Sequence, residues 1–506
     1  MVTASKHLQT QYAEDFEILM PVKGKSNFPC YKTMNQKEIN LQESEEAMRQ
    51  GITCDKGECE EKDKDGKIRN CEFKPYIRDF EAKANAGSTF GELVCPYYEQ
   101  KFAALISKHS LWNYHSYFQI IKYNQRTYGD YLKRGVSIFD EAHSIEDQII
   151  QFIGIDITEK YVTECGISIE SYDLSDIKMI IRLLDDMVDY YAREEKEIRE
   201  SRAFQLNPDY ERISRLDQNF QRFMKAKIEI ESKPENFIIN KPFFVGEKFK
   251  SITIKPLDIS QYVQQFFVTP FQIFMSATID KESFCENMGI PPDQVAMVDT
   301  PHSPFPVENR KIEFLNIAGL AYNTSRETEN KVISKIDEIL SKHKEERGLI
   351  LTSSKARCTN ITASLSPENK KRIRICHARN KDGKTQDDVI KEHSESKNGV
   401  LLSSSLWQGV DLKDDLSRFQ IIAKVPYANH TERWVAAKRK RYSRWYTSQT
   451  LIKLLQGFGR SIRNEKDWAI TYVLDSAVQR LLMESRSMVP KAYYDVLKWN
   501  INQVRT

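Results

Sequence analysis

Short apolar runs separated by amphipathic stretches set the rhythm of this chain. The runs VSIF (136–139), FQIFM (271–275), GLILT (348–352), GVLLS (399–403), FQIIA (419–423) and ITYVL (470–474) are nearly continuous. Continuous apolar runs alternating with helical stretches read as strands buried on both faces, as in parallel sheets. Between the first two runs the texture changes. In 177–191, Ile177, Ile180, Ile181, Leu184, Met187, Val188 and Tyr191 recur at helical spacing. Ile213, Leu216, Phe220, Phe223 and Met224 repeat that spacing in 213–224. The pattern predicts an α/β protein with a mostly helical insertion over 156–255. It contains no internal repeat and no low-complexity linker.

Length and composition narrow the picture a little. A chain of 506 residues has room for roughly two to four domains with their own cores. Charged residues are 29% and hydrophobic residues 40%, as in a globular protein in water. The net charge of +3 does not demand a nucleic-acid partner, so any basic surface must come from local clustering. No apolar run reaches membrane-spanning length, and the start, MVTASKHLQTQYAEDF, is polar and mixed in charge. The expectation is a cytoplasmic protein without a membrane partner.

Five of the nine cysteines (Cys30, Cys54, Cys59, Cys71, Cys95) fall in the first fifth of the chain. Residues 27–95 are otherwise charge-rich and poor in long apolar runs. Such a segment needs a staple other than a hydrophobic core, and in a reducing compartment a metal centre is favoured over disulfides. From spacing alone, iron–sulfur and tetrahedral zinc are equally served by four of these thiols. Cys165, Cys285, Cys358 and Cys376 are scattered, as small packing residues are.

The strand VSIF runs into Asp140-Glu141-Ala142-His143. An Asp at the carboxyl end of a strand can hold Mg²⁺ on nucleotide phosphates, and the adjacent Glu can polarise the attacking water. A bare Asp–Glu pair is more often a solvated acidic turn. Three further motifs reverse those odds: MSAT at 275–278, WQGVDL at 407–412 and QGFGRSIR at 456–463. With residues 140–143 ahead of them, in this order, they resemble motifs II, III, V and VI of the superfamily 2 helicases. NYHSYF (113–118) and SPFPVENR (303–310) resemble stretches of the XPD/DinG branch.

The resemblance spans essentially the whole chain. It implies two RecA-like motor domains with parallel sheets, the first interrupted by an Fe–S insertion and a helical arch. Motor domain 1 would comprise 1–26, 99–155 and 256–300, the Fe–S domain 27–98, the arch 156–255 and motor domain 2 301–506. It implies an ATP-driven, 5′-to-3′ DNA helicase of repair or related DNA metabolism, acting as a monomer on single-stranded or forked DNA, with ATP–Mg²⁺ and a [4Fe–4S] cluster. Asp140 would bind Mg²⁺ and Glu141 act as base. His143 would couple nucleotide state to Ser276 and Thr278. Gln456, Arg460 and Arg463, beside Gly459, would reach the γ-phosphate, and Gly409 and Asp411 would link the nucleotide cleft to the DNA track. Gln408 stands where the group commonly has Glu, and no role is carried over to it. The phrases KGKSNFPC and CPYYEQKFAAL assign Cys30 and Cys95 as the first and last cluster ligands, and NCEFKPY assigns Cys71. The second ligand is Cys59 or Cys54, with spacing to Cys71 favouring Cys59.

The segment TERWVAAKRKRYSRWY (431–446) mixes cations with aromatics, as single-strand binding surfaces do. Arg433, Lys438, Arg439, Arg441 and Trp445 are its candidate DNA contacts. An amphipathic helix with buried rings and solvated cations would look the same.

One motif is missing. A phosphate-binding loop needs Gly, four residues, then Gly-Lys-Ser/Thr. Gly24-Lys25-Ser26 has Leu19 at the first position, and Gly383-Lys384-Thr385 has Ala378. In the family this loop lies upstream of a motif similar to VTASKHLQTQY, which begins here at Val2. The expectation is a truncated start, or a product that has lost ATP turnover.

Overall fold

A computed structural model describes residues 1–62, 68–87, 94–321, 324–377, 383–407, 412 and 414–497. It divides into two compact units, one of 1–275 with 432–437 and one of 276–431 with 438–506.

The first unit is built on strands β1 (Val2–Thr3), β2 (Met20–Pro21), β5 (Ser110–Asn113), β6 (Val136–Phe139) and β11 (Phe271–Phe274). They form one sheet in the order β11-β6-β1-β5-β2, parallel throughout. Register places Val2 opposite Trp112 and Phe139, and Ile273 opposite Ile138. On one face Phe139 sits among Tyr114, Tyr117, Phe267 and Phe274, and Phe118 packs on Phe266 with ring centroids 4.2 Å apart. On the other face cover is incomplete: Val136 is 49% exposed, and Phe271 and Ile273, its neighbours on β11, are 70% and 48% exposed. A cavity of about 400 Å³ opens beside this edge, lined by Met1, Phe16, Trp112, Val136 and Ile138 among others.

A short hairpin, β3 (Glu60–Lys62) with β4 (Ile68–Asn70), marks the cysteine-rich segment. The predicted helical insertion contains an antiparallel pair, Ile177–Glu200 and Tyr210–Ser232. Their facing stripes are apolar: Ile180, Leu183, Leu184, Met187 and Tyr191 on one helix, Ile213, Leu216, Phe223 and Ile230 on the other, all buried. Tyr191 stacks on Phe223 at 5.7 Å. Asp176 and Asp209 cap the two N-termini through Lys178 N and Arg212 N.

The same insertion also holds strands that helical periodicity does not announce. Strands β7 (Ile155–Thr158), β8 (Phe237–Ile239), β9 (Phe243–Val245) and β10 (Lys248–Pro256) form an antiparallel sheet around β10. In β10, Phe249, Ile252 and Ile254 point inward, with a register shift between Phe249 and Ser251. That shift breaks the period-two pattern that would otherwise have marked the strand.

The second unit holds β12 (Ile312–Ala318), β13 (Gly348–Leu351), β14 (Ile373–Ile375), β15 (Val400–Ser403), β16 (Phe419–Ile422) and β17 (Ile470–Asp475). They pair in parallel in the order β12-β17-β16-β13-β15-β14. Leu349, Ile350, Leu351, Leu401 and Leu402 have no exposed surface, so both faces of the central strands are covered. Gly348 is fixed by packing: a Cβ there would stand 2.3 Å from Cζ of Phe419. Among the described residues no helix is long and apolar enough to cross a membrane.

The helical pair depends on its interlocked rings. Phe223→Ala should cost about 3–5 kcal/mol, as large core truncations do, and chemical denaturation of the chain measures it. A change within experimental error would show that the pair is held by something other than this stripe.

Candidate active site and cysteine centre

Asp140 is the first residue past β6, at the carboxyl edge of the first sheet. Its amide donates to Val2 O at 2.9 Å, and the Tyr114 hydroxyl donates to Asp140 O at 2.8 Å. The side chain is buried. Burial raises its carboxyl pKa, and hydrogen bonds from the Glu141 amide and the Tyr12 hydroxyl oppose that rise. Tyr12 itself is pushed up to about 12, by its own burial and by the facing carboxylates. Glu141 adopts φ 51°, a left-handed conformation that non-glycine side chains rarely take. Three interactions hold the turn: Ala142 N donates to Met275 O, Ser144 Oγ donates to Glu141 O, and His143 Nδ1 lies 3.3 Å from Glu141 Oε2. The result is one enclosed carboxylate and one partly exposed carboxylate at adjacent positions, the separation that metal binding and water activation require.

In the second unit, Ser276 Oγ accepts from Thr278 N at 3.2 Å, and Thr278 Oγ1 is buried without a hydrogen-bond partner. Gln456 stands in the last turn of the helix Trp445–Phe458, and Gly459 ends it. Gly457 lets that helix lie against Trp407; a Cβ would meet the indole at 3.0 Å. Trp407 then ties two motifs together. Its Nε1 donates to Thr352 O at 3.2 Å, and its carbonyl accepts from Arg460 Nε at 3.0 Å. Arg460 is buried and Arg463 exposed, with Arg463 N donating to Asp467 Oδ2. Gln408, Gly409 and Asp411 lie outside the described residues.

The two Gly-Lys-Ser/Thr strings serve other purposes. Lys25 lies in a short 3-10 turn and its Nζ donates to Cys59 Sγ at 3.4 Å. Thr385 caps the helix Gln386–Glu395, and Lys384 pairs with Glu392.

The basic segment forms the helix Arg433–Arg441. Trp434 and Lys438 on this helix, and Tyr442 and Trp445 just beyond it, are buried, Lys438 completely, with its ammonium 4.0 Å from the Tyr442 ring centroid. Lys438 and Trp445 are therefore withdrawn from the surface on which the sequence placed them. Arg433, Arg439 and Arg441 remain exposed, and Arg439 lies over the Tyr446 ring at 5.1 Å. The helical period separates the two sets, and counting charges along the segment cannot.

Backbone pairing ties each of four cysteines to a neighbouring stretch of chain. Cys30 N donates to Ile52 O, Cys54 N to Phe28 O, Cys71 N to Cys59 O and Cys95 N to Phe73 O. The sulfurs of Cys54 and Cys95 are 3.7 Å apart, and Cys54 Sγ donates to Pro29 O at 3.0 Å. The neighbouring Cys54 lowers the Cys30 thiol to about 6, and Cys30 and Cys95 together drive Cys54 up. Cys59 instead faces Lys25. Among the described residues no three His, Cys, Asp or Glu side chains are disposed to share one metal ion. The donor chemistry nevertheless suits a thiolate-bound cluster: all five are free thiols, and three of them are buried. Lys25, Tyr12 and Trp407 fall within quoted motifs, but nothing in those motifs marks them for the contacts they make.

Two family models match the chain: DEAD_2 over residues 5–162 and the helicase C-terminal domain over 336–493. The ATP-dependent DNA helicase YoaA of Haemophilus influenzae is 23% identical, over 92% of this chain and 79% of that protein. Among solved structures, apo XPD is 14% identical and covers 75% of this chain and 80% of its own, with a TM-score of 0.49. The DNA-bound DUF1998 helicase MrfA is 13% identical over 96% of this chain and 46% of its own, with a TM-score of 0.34. Two helicase-domain matches on a chain of parallel α/β sheets mark a nucleotide-dependent motor. The chain belongs to the XPD/DinG-type helicases of superfamily 2, a family of ATP-dependent DNA helicases.

The loop between Cys54 and Cys59 crosses Cys30 at Gly57, where a Cβ would come within 2.3 Å of the Cys30 sulfur. Gly57→Ala should loosen the cysteine segment, read as faster hydrogen exchange over residues 28–59. Gly24→Ala, whose Cβ would meet nothing nearer than 3.8 Å, should leave exchange unchanged. Equal behaviour of the two variants would refute the packing argument.

Proposed function

We propose that this chain is the body of a 5′-to-3′ DNA helicase of repair or related DNA metabolism, working as a cytoplasmic monomer on single-stranded or forked DNA. Asp140 holds Mg²⁺ on the nucleotide and Glu141 orients the attacking water. His143 relays nucleotide state to Ser276 and Thr278. Gln456, Arg460 and Arg463 supply γ-phosphate contacts, with Gly459 setting their turn and Gly409 and Asp411 leading on to DNA. The bound metal neutralises phosphate charge. A [4Fe–4S] cluster held by Cys30, Cys71, Cys95 and one of Cys54 and Cys59 staples the segment that has little hydrophobic core.

The observation carrying this reading is the enclosed Asp140 beside Glu141 at the carboxyl end of β6, next to an open strand edge. Phosphates bind where a strand runs through a glycine-rich loop into a helix. A strand–loop–helix unit added to the free edge of β11 would set its loop beside Asp140, and its helix would cover Val136, Phe271 and Ile273. The exposure of those residues supports a motor domain that hydrolyses ATP only when such a unit is supplied. The second reading is an Fe–S scaffold that binds DNA without turnover, favoured by the two Gly-Lys-Ser/Thr strings being engaged elsewhere.

Residues 1–506 alone should show little DNA-stimulated ATPase activity. The same chain extended by an in-frame segment carrying a phosphate-binding loop should hydrolyse ATP, and Asp140→Asn should abolish that gain. Robust turnover by the 506 residues refutes the requirement, and an inert extended chain favours the scaffold.

DNA binding is tested separately. Reversing Arg439 and Arg441 to Glu should weaken single-strand binding and flatten its salt dependence, by about one unit of slope for each phosphate no longer neutralised. An unchanged slope places the track elsewhere.

A further inference from the structure

We propose that Gln420 is a positioning residue for the arginine turn at 456–463, a role that rests on the γ-phosphate contacts proposed above for Arg460 and Arg463 and deepens them. Gln420 is out of character with its place. It lies inside β16 with no exposed surface, between Phe419 and Ile421, which have none either. Ile422, two residues on and so on the same face, packs in a hydrophobic cluster with Leu351, Leu455 and Phe458. A leucine would fill position 420 and leave no polar group to satisfy. A buried amide costs free energy unless its donors and acceptor are paired. Those of Gln420 are paired. Its Nε2 donates to Phe458 O at 3.0 Å and to Thr471 Oγ1 at 2.5 Å, and its Oε1 accepts from Ser461 Oγ at 3.4 Å.

Two of these three partners belong to the turn. Phe458 is the last residue of the helix Trp445–Phe458, and the last carbonyls of a helix have no partner within it. Gln420 supplies one where the chain leaves the helix and enters Gly459, Arg460 and Ser461. Ser461, fully buried, is held a second time by the Ser417 hydroxyl, with the two oxygens 2.7 Å apart. The bonds of Gln420 to Phe458 and Ser461 therefore bracket Arg460, whose Nε reaches Trp407 O at 3.0 Å. Asp467 fixes the far end of the turn. Its Oδ2 accepts from Arg463 N at 3.2 Å and Asp414 N at 3.1 Å, and its Oδ1 from Arg418 Nη1 at 2.7 Å. An arginine that stabilises a transferring phosphoryl group depends on its placement, and a shift of about 1 Å can cost on the order of a hundredfold in rate. Gln420 touches no reacting group; it holds the backbone from which Arg460 extends.

The whole chain tests the seating of the turn without nucleotide. In Gln420→Met, which fills the space and loses the amide, hydrogen exchange should quicken severalfold over 457–463 and stay unchanged over 400–403 in β15. Gln420→Leu, a second apolar replacement, should do the same. Thr471→Val removes the one partner outside the turn and should leave exchange over 457–463 near wild type. Turnover is read in the chain extended with a phosphate-binding loop. There Gln420→Met should lower kcat for ATP by roughly ten- to a hundredfold and keep KM within about twofold, because the seated arginine acts on the transition state. Unchanged exchange over 457–463 in both apolar variants overturns the proposal. So does Thr471→Val matching Gln420→Met, which would make Gln420 a partner of β17 alone, or a kcat left at the wild-type value. An inert extended chain, or turnover indifferent to Arg460→Ala and Arg463→Ala, defeats the γ-phosphate reading itself, and the exchange comparison tells that failure apart from a misassigned Gln420.

Discussion

A parallel strand has to be covered on both faces, because its connections return over the sheet and leave little polar surface to meet water. In the second unit that demand is met: Leu349, Ile350 and Leu351 on β13 and Leu401 and Leu402 on β15 have no exposed surface. In the first unit it is met on the face where Phe139 sits in its aromatic cluster and left open where Val136, Phe271 and Ile273 are bare. The same sheet ends in the Asp140–Glu141 turn, so the uncovered edge and the acidic site are features of one structure. Two adjacent carboxylates, one enclosed and one partly exposed, stand there beside a partly covered strand.

The cysteine segment answers to a different constraint. It buries only a few apolar side chains, Met34, Ala47, Ile52, Phe73 and Phe80 among them, and adds backbone bridges beside its cysteines. Its helical neighbours add further ties. Arg199 bonds Glu58, Lys56 pairs with Glu211, and Ser214 and Gln218 both donate to Asp55 O. The loop between Cys54 and Cys59 is therefore fixed from outside as well as by the thiols at its ends.

What could be read from the sequence follows from how local each signal is. The mostly apolar runs at 136–139, 348–351 and 419–422 are short and nearly continuous, and they are strands. The helical pair was legible because its stripe repeats over many turns. Strand β10 was hidden by a register shift, and β14 is three residues long with only Ile373 buried. In the site, Asp140 and Glu141 stand out because a motif surrounds them. Tyr12, Lys25 and Trp407 matter through contacts made across the fold, which no local pattern encodes. Lys438 shows the converse: its sequence neighbourhood advertised a phosphate contact, and the helical period turned it inward.

The proposed function is that of a translocating motor with 5′-to-3′ polarity. Strand displacement by the chain extended with a phosphate-binding loop puts that to the proof, on duplexes carrying a single-stranded tail at one end. ATP-dependent unwinding of the 5′-tailed duplex, with the 3′-tailed duplex left intact, is the predicted result. Unwinding of the 3′-tailed duplex alone, or ATP hydrolysis without displacement of either strand, would contradict it.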